Sequence, residues 1–427
     1  MHINKQLSLI LCLSLNSVFA MYGSWAHAAP LKEILKQALV HDPVIQEAQA
    51  NVSFAHSTMQ ASKAEHYPVV SVIGTQVLGQ DHKYESNARE TSFAPGIRAA
   101  VNVYAWGGIE AAVDRDKNKE IYFQHMSDQT REDLGYKIST LYLTALRARE
   151  SLIVAERNLK RHDKMLRDLN IIVQHDAGRR SELVQAQARR LRVETGISEL
   201  RRTLGLAISR LGVYTDEFLS PDSIVDPFQE VSSKDLIAHF HRAEFDKTPA
   251  YLAQKAERES ALDDVKVSEA ARKPALNLEG TATPDNKEIY LRVSWDVFNL
   301  GSKHKVSQKN QSMIAAESRM QQTLRDSIER SRTAVFDMTQ NEQRAQLAHQ
   351  YIQSQKEVVW AYEQQFKIAR RTLIDVLDAY NELANIEAAE VAARNDFRDA
   401  TLEYLLVQAQ IAQWAGVSHP SDLKPIL

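Results

Sequence analysis

The residues that could do chemistry are few, and they cluster in two short stretches. In IDVLDA, Asp375 and Asp378 stand three apart, which places both carboxylates on one face of a helix. Taken alone, such a pair is explained by a plain solvated face. Two arginine pairs sit in similar settings: Gly178-Arg179-Arg180-Ser181 and Ala369-Arg370-Arg371-Thr372. Their cations would either cap helix ends, where the helix dipole favours positive charge, or meet a partner. The small residues Gly178 and Ala369 suit a tight turn. His162 interrupts an apolar seam without a second ligand at helical spacing, so it reads as a buried or inward-facing polar interruption rather than a ligand. His239 and His241 flank Phe240 with no supporting carboxylates, and no metal is assigned to them. There is no GxSxG, HExxH, Gly-Lys phosphate loop or Cys-His pair. The sequence predicts neither an enzyme nor a cofactor.

The elements that position these residues are long helices. The 427 residues include only 11 Pro and 14 Gly, and residues 96 to 220 and 285 to 419 contain no proline at all. Two proline-free runs of that length exceed any globular helix. From Leu134 onward, positions 138, 141, 145, 148, 152, 155, 159, 162, 166, 169 and 173 follow a 4-3 spacing in which His162 is the single polar member. Met338, Ala345, Ile352, Val359 and Phe366 recur every seven residues in the second half, with Asn341 and Gln355 among their companions. The helix from Gly108 to His175 spans 68 residues, which at ~1.5 Å per residue reaches ~100 Å. No globular core has room for it.

The chain is also written twice. Pro43 matches Pro249, Pro68 matches Pro274 and Gly74 matches Gly280, all at an offset of 206. Val103 and Gly107 then match Val297 and Gly301 at 194, so the first half carries twelve extra residues, the polar stretch QDHKYESNARET read as a longer loop. GRRSELVQAQA aligns with ARRTLIDVLDA at 191. The ordered matches indicate a structural duplication. Each half reads as a short helix, two strands and a long helical hairpin, the first short helix being interrupted near Pro43. The alternation is clearest in KEIYLRVSWDVF, where Ile289, Leu291, Val293, Trp295 and Val297 share one face. Val70, Val72 and the run from Ile97 to Val103 alternate less cleanly. The expected organisation is a secretory signal at 1–28, a first repeat at 29–212, a linker or equatorial segment at 213–247, a second repeat at 248–418 and a tail at 419–427.

The signal reading rests on Lys5, the apolar run from Leu7 to Ala20 and the small residues Ala26 and Ala28. Cys12, the only cysteine, is preceded by Leu11, which argues against a lipid-anchor site. No later segment approaches the ~18 apolar residues of a spanning helix, so any membrane passage is made by strands. A net charge of -3 excludes a nucleic-acid partner. Trp106 and Trp295 suit a membrane-interface belt, with Phe298 at the same edge, or else aromatic packing where strand meets helix. Four strands cannot close a membrane barrel, which needs at least ~8. Three chains give twelve strands above twelve long helical rods.

With its repeat order, the strand-to-helix pieces VYAWGG and VFNLGS and the tip FKIARRTLIDVLDA, the chain resembles the TolC-like outer-membrane efflux and secretion channels over about residues 31 to 418. The resemblance implies a mainly α fold: duplicated helical hairpins forming a trimeric α-barrel tunnel in the periplasm, continuous with a 12-stranded outer-membrane β-barrel. It implies a passive duct that works with a periplasmic adaptor and an inner-membrane transporter, ABC or other. Asp375 and Asp378 match the family's paired aspartates, making six carboxylates at a threefold entrance that raise one another's pKa and admit a cation plug. Arg371 matches the gate arginine. Its family partners fall here on Phe366, which lacks a hydroxyl, and Val184, which cannot accept a hydrogen bond, leaving Glu182 as a substitute acceptor. Gly178, Arg179, Arg180, Ser181, Ala369, Arg370 and Thr372 form the expected adaptor-contact tips. The Arg-Arg-Ser/Thr tips and the lack of a lipid-anchor cysteine favour protein export by type I secretion over multidrug or small-molecule efflux. A periplasmic adaptor or coiled-coil structural protein is the alternative of another class, and it leaves the alternating strands unexplained.

Overall fold

The computed structural model describes residues 31–76 and 93–417, except 217, 230, 243 and 285. The signal segment with Cys12, the polar stretch at 80–91 and the tail at 419–427 lie outside the described residues. The chain opens with α1 (Leu31–His41) and α2 (Pro43–Ala64). They are split at Asp42, whose side chain accepts from Val44 N while Pro43 takes the first helical position, where its missing N–H costs nothing. Strands β1 (Val69–Gln76) and β2 (Phe93–Tyr104) follow, then α3 (Gly108–His175), a single 3-10 turn (Ala177–Arg179) and α4 (Arg180–Leu211). A linker holding α5 (Ser233–Phe240) leads to α6 (Pro249–Ala270), β3 (Ala275–Ala282), β4 (Lys287–Ser294), α7 (Leu300–Lys367), α8 (Leu373–Val407) and α9 (Ile411–Ala415). The order of helix, two strands and two long helices occurs twice, and α3 and α7 are each 68 residues long.

The four strands form one antiparallel sheet in the order β1-β2-β3-β4. Cross-strand partners share a face, so the register sorts the side chains. Val70 and Val72 lie with Ile97, Val101, Leu278, Ile289 and Leu291 on one face, and this face is open to the surroundings, Ile289 being 82% exposed. The opposite face carries Ser71, Arg98, Asn102, Asn277, Tyr290 and Arg292 around Glu279, whose carboxylate accepts from Arg98 at 2.6 Å and from the Tyr290 hydroxyl at 3.1 Å. An apolar outer face with polar groups behind it inverts the usual soluble sheet, and it suits a lipid-facing wall. Pro95 is tolerated within β2 because pairing with β3 stops at Ile97, leaving a neighbour only on the β1 side.

The long helices form a wall, α4 beside α3, α3 beside α8 and α8 beside α7; nearer the sheet, α2 and α6 flank α3, and α6 meets α7. The wall has two cores. One gathers Leu35, Ile138, Tyr142, Leu211, Phe228 and Ile411 where the linker crosses the helices. The other joins Leu169, Ala186, Phe366, Val376, Leu377 and Tyr380 near the hairpin tips. Seam positions of α3 from Ile138 to Val173 are buried or half-buried throughout, His162 among them.

Linker residues 224–226 are pinned to the wall by polar contacts. The Tyr142 hydroxyl donates to Val225 O and accepts from Val225 N, both at 2.8 Å. Arg398, 1% exposed, donates to Glu150 at 2.7 and 2.9 Å and to Asp226 at 2.6 Å. These bonds tie α3, α8 and the linker together at one level.

Candidate functional site

The two ends of the wall carry the candidate residues. At the first tip Asp176 turns the chain, its carboxylate accepting from Gly178 N at 3.0 Å. Arg179 bonds Glu182 at 2.8 Å and lays its guanidinium 5.2 Å from the Phe366 ring of the other hairpin. Arg180 and Ser181 are exposed in the first turn of α4. That end of a helix repels cations, so the dipole does not explain Arg180. The second tip turns at Ala369, whose φ of 58° is left-handed, with Arg370 N donating back to Gln365 O at 2.9 Å. This is the usual helix-ending bond pattern, with alanine where glycine is the usual residue.

Arg371 folds back on its own helix. Its Nε donates to Gln365 Oε1 at 3.0 Å, and its guanidinium lies 4.2 Å from the Tyr362 ring. The aromatic facing Arg371 within the chain is therefore Tyr362, while Phe366 is buried against Arg179. Glu182 is engaged by Arg179, and Val184 is exposed.

Asp375 starts α8 as half of a capping box. The Thr372 hydroxyl and N–H donate to its Oδ2 at 2.8 and 3.0 Å, and Asp375 N donates to Thr372 Oγ1 at 3.3 Å. These bonds, the Thr372 hydroxyl first, hold the Asp375 carboxyl below its ordinary pKa, with Arg371 adding to the effect. Within one protomer the shift runs opposite to the mutual raising expected of stacked carboxylates. Asp378, one turn on, accepts from Arg189 Nη1 of α4 at 2.7 Å.

The two hairpins of one chain are joined by contacts that the sequence pattern did not single out. Besides Arg189–Asp378, Arg161 reaches Glu387 at 2.7 Å and Lys164 reaches Glu363 at 2.6 Å. Tyr380 donates to Glu363 at 2.6 Å. Among these, His162 is 1% exposed with both ring nitrogens unbonded, its ring 5.8 Å from that of Tyr380. Burial, reinforced by Arg161 and Arg189, pushes its pKa down to about 4. The three ion pairs depend on how the first hairpin packs on the second, since their partners lie some two hundred residues apart in the chain. Tyr380–Glu363 instead ties α8 to α7 within the second hairpin.

At the opposite end of the wall, strands hand over to helices. Trp106 (φ 55°) and Gly107 (φ 76°) are consecutive left-handed residues. Glycine meets the second of these without strain. The second copy turns differently: Asn299 caps α7 by accepting from Ser302 N at 3.1 Å, and Gly301 lies inside the helix. The small pair therefore makes the bend in the first copy only. β4 also ends at Ser294, earlier than the alternation through Val297 indicates, and the chain then turns toward the Asn299 cap. Both indoles are spent on protein carbonyls, Trp106 on Pro274 O at 2.8 Å and Trp295 on Arg272 O at 3.1 Å. Phe298 is 85% exposed.

An apolar-faced sheet continuous with a wall of ~100 Å helices is the architecture of an outer-membrane channel with a helical tunnel in the periplasm. The chain belongs to the outer membrane efflux protein family, whose model matches residues 34–212 and 246–404. Members of this family are passive channels, not enzymes. Outer membrane protein TolC of Vibrio cholerae is 20% identical, the alignment covering 98% of this chain and 97% of that protein. The fold is similar to that of the outer membrane protein VceC from Vibrio cholerae, with a TM-score of 0.77 at 16% identity over 89% of this chain and 96% of that one. It is also similar to the CmeC outer membrane channel of Campylobacter jejuni, with a TM-score of 0.75 at 15% identity over 92% of this chain and 88% of that one.

Proposed function

We propose that three copies of this chain assemble into a conduit across the outer membrane and periplasm, through which substrates leave when an inner-membrane transporter and a periplasmic adaptor engage the hairpin tips. The observation that carries this reading is the pair of open sheet edges. β1 and β4 each have one neighbour, and both present exposed apolar side chains. An isolated edge of that kind invites pairing with another chain. Because the strand count per chain is even, β4 of one copy meets β1 of the next antiparallel, and threefold rotation closes twelve strands. The wall has matching open edges, with Val184 and Leu191 exposed on α4 and Phe336, Leu347 and Trp360 exposed on α7.

At the narrow end, threefold symmetry brings Asp375 and Asp378 into two rings of carboxylates. Asp375, held below its ordinary pKa by Thr372, stays charged at neutral pH. The rings attract cations and give the entrance its block by multivalent ions. Arg371 with Tyr362 and Gln365, and Arg179 with Glu182 and Phe366, keep each tip compact. Gly178, Arg180, Ser181, Ala369, Arg370 and Thr372 form the surface offered to the adaptor.

The cargo we assign is protein exported by type I secretion, on the strength of Arg-Arg-Ser at one tip and Arg-Arg-Thr at the other. Small-molecule efflux is the second reading, and the family's description favours it. Deleting the gene and comparing the secreted proteins with the drug susceptibility of the strain separates the two. Loss of a secreted protein at unchanged susceptibility supports type I export; an intact secretome with heightened susceptibility overturns it in favour of efflux.

A further inference from the structure

The barrel–tunnel joint holds a cluster that neither the conduit nor the gate uses. Residues 271–274, between α6 and β3, carry Arg272 and Lys273, both exposed. This turn is fixed from two sides by the Trp106 and Trp295 indoles, which donate to Pro274 O and Arg272 O. Lys273 Nζ lies 5.4 Å from the Trp106 ring centroid. Neither Arg272 nor Lys273 has an ion-pair partner among the described residues. With their N–H groups engaged, the two half-exposed indoles offer only ring surface, beside two cations that form no ion pair among the described residues.

A cavity of 470 Å³ adjoins this turn, with Trp295, Lys273, Arg115, Glu65 and Asp296 on its walls. Arg115 is committed to Asp116 at 2.7 Å and Asp264 at 3.6 Å, and Asp296 accepts from Asn299 at 3.2 Å. The exposed apolar stripe Ile289, Leu291 and Val293 runs down β4 into the same place. Apolar surface therefore ends where unpaired cations and indole rings begin, the sequence of surfaces that a lipid molecule presents in reverse.

We infer that this joint is a headgroup site for an anionic phospholipid of the periplasmic leaflet. Its phosphate ester is held by the Arg272 guanidinium and the Lys273 ammonium, and its acyl chains lie along the β4 stripe. A guanidinium offers a fork of donors to phosphate oxygens, and a lysine beside it adds a point charge. Near a membrane surface each such cation contributes about a fivefold gain in binding. The assignment rests on the outer-membrane position of the sheet, and not on the cargo or on the number of subunits.

Native mass spectrometry of the detergent-purified protein tests it, with dioleoyl phosphatidylglycerol, dioleoyl phosphatidylcholine or inorganic phosphate added. The wild type is expected to retain phosphatidylglycerol in preference to phosphatidylcholine, and Lys273→Arg is expected to match it. The double variant Arg272→Gln/Lys273→Gln is expected to lose affinity by about 25-fold, with its outer-membrane yield and helical circular dichroism unchanged. Equal retention by wild type and double variant overturns the site, as does equal retention of the two lipids. Inorganic phosphate binding as well as the lipid overturns it in favour of a simple anion site. Recovery of the protein in the soluble fraction without detergent would instead remove the membrane placement itself.

Discussion

Replacing His162 with leucine is expected to strengthen the tunnel wall, and to do so more in acid than at neutral pH. The imidazole occupies a seam position of α3, faced by Arg161 and Asp163 on its own helix, Arg189 on α4 and Tyr380 on α8, whose hydroxyl is tied to Glu363 on α7. Its folded-state pKa of about 4 lies below the ordinary 6.5. The unfolded chain therefore takes up the proton first, and stability falls as pH drops from 6.5 toward 4. At pH 5 the loss amounts to about 2 kcal/mol per protomer relative to pH 7.5. Even the neutral ring leaves two buried nitrogens unbonded, at a cost of about 1–3 kcal/mol. His162→Leu removes both penalties, so the variant gains about 1–3 kcal/mol at pH 7.5 and about 2 kcal/mol more at pH 5. Denaturant unfolding in detergent, followed by helical circular dichroism at the two pH values, reads the difference directly; the carboxylates common to both proteins cancel. A constant difference between the two proteins at both pH values would show that the folded imidazole does not resist protonation. A variant weaker than wild type at pH 7.5 would show that the buried ring is not a cost to the fold.

Three further changes test other parts of the structure. Ala369→Gly relieves the left-handed φ of 58° at the second tip and is expected to stabilise the protein by about 1 kcal/mol in the same unfolding assay. Asp375→Asn with Asp378→Asn keeps side-chain acceptors at the cap while removing the charges, and is expected to abolish block by trivalent cations in planar-bilayer conductance; unchanged block would take both residues out of the pore. Arg398→Ala leaves Glu150 and Asp226 without the buried guanidinium that joins them, at an expected cost of about 3–5 kcal/mol, seen as a lowered unfolding midpoint and easier proteolysis of the linker near Asp226.

Much of this fold was legible because long periodic elements average out local ambiguity. The helix expected from Gly108 to His175 has those ends in the structure, and the break near Pro43 falls at Asp42, because a proline and a capping carboxylate act locally. Strand ends were harder to read. Trp295 and Val297 continue the alternation, yet β4 stops at Ser294 because the chain must turn into the Asn299 cap, a requirement set by the joint and not by periodicity. The site was legible only in outline. Asp375, Asp378 and the arginine pairs stand out by type, but the aromatic under Arg371 is Tyr362, one helical turn before Phe366. The bridges Arg161–Glu387, Lys164–Glu363 and Arg189–Asp378 depend on how two distant hairpins pack. Nothing in the spacing of a single chain reports that.

In the proposed conduit this chain closes a barrel only in threes. Native mass spectrometry of the complex extracted from outer membranes in mild detergent tests it most directly. One species of three protomers is expected, separating into single chains only on heating. A stable monomer, a dimer, or a protein that stays soluble without detergent would contradict it.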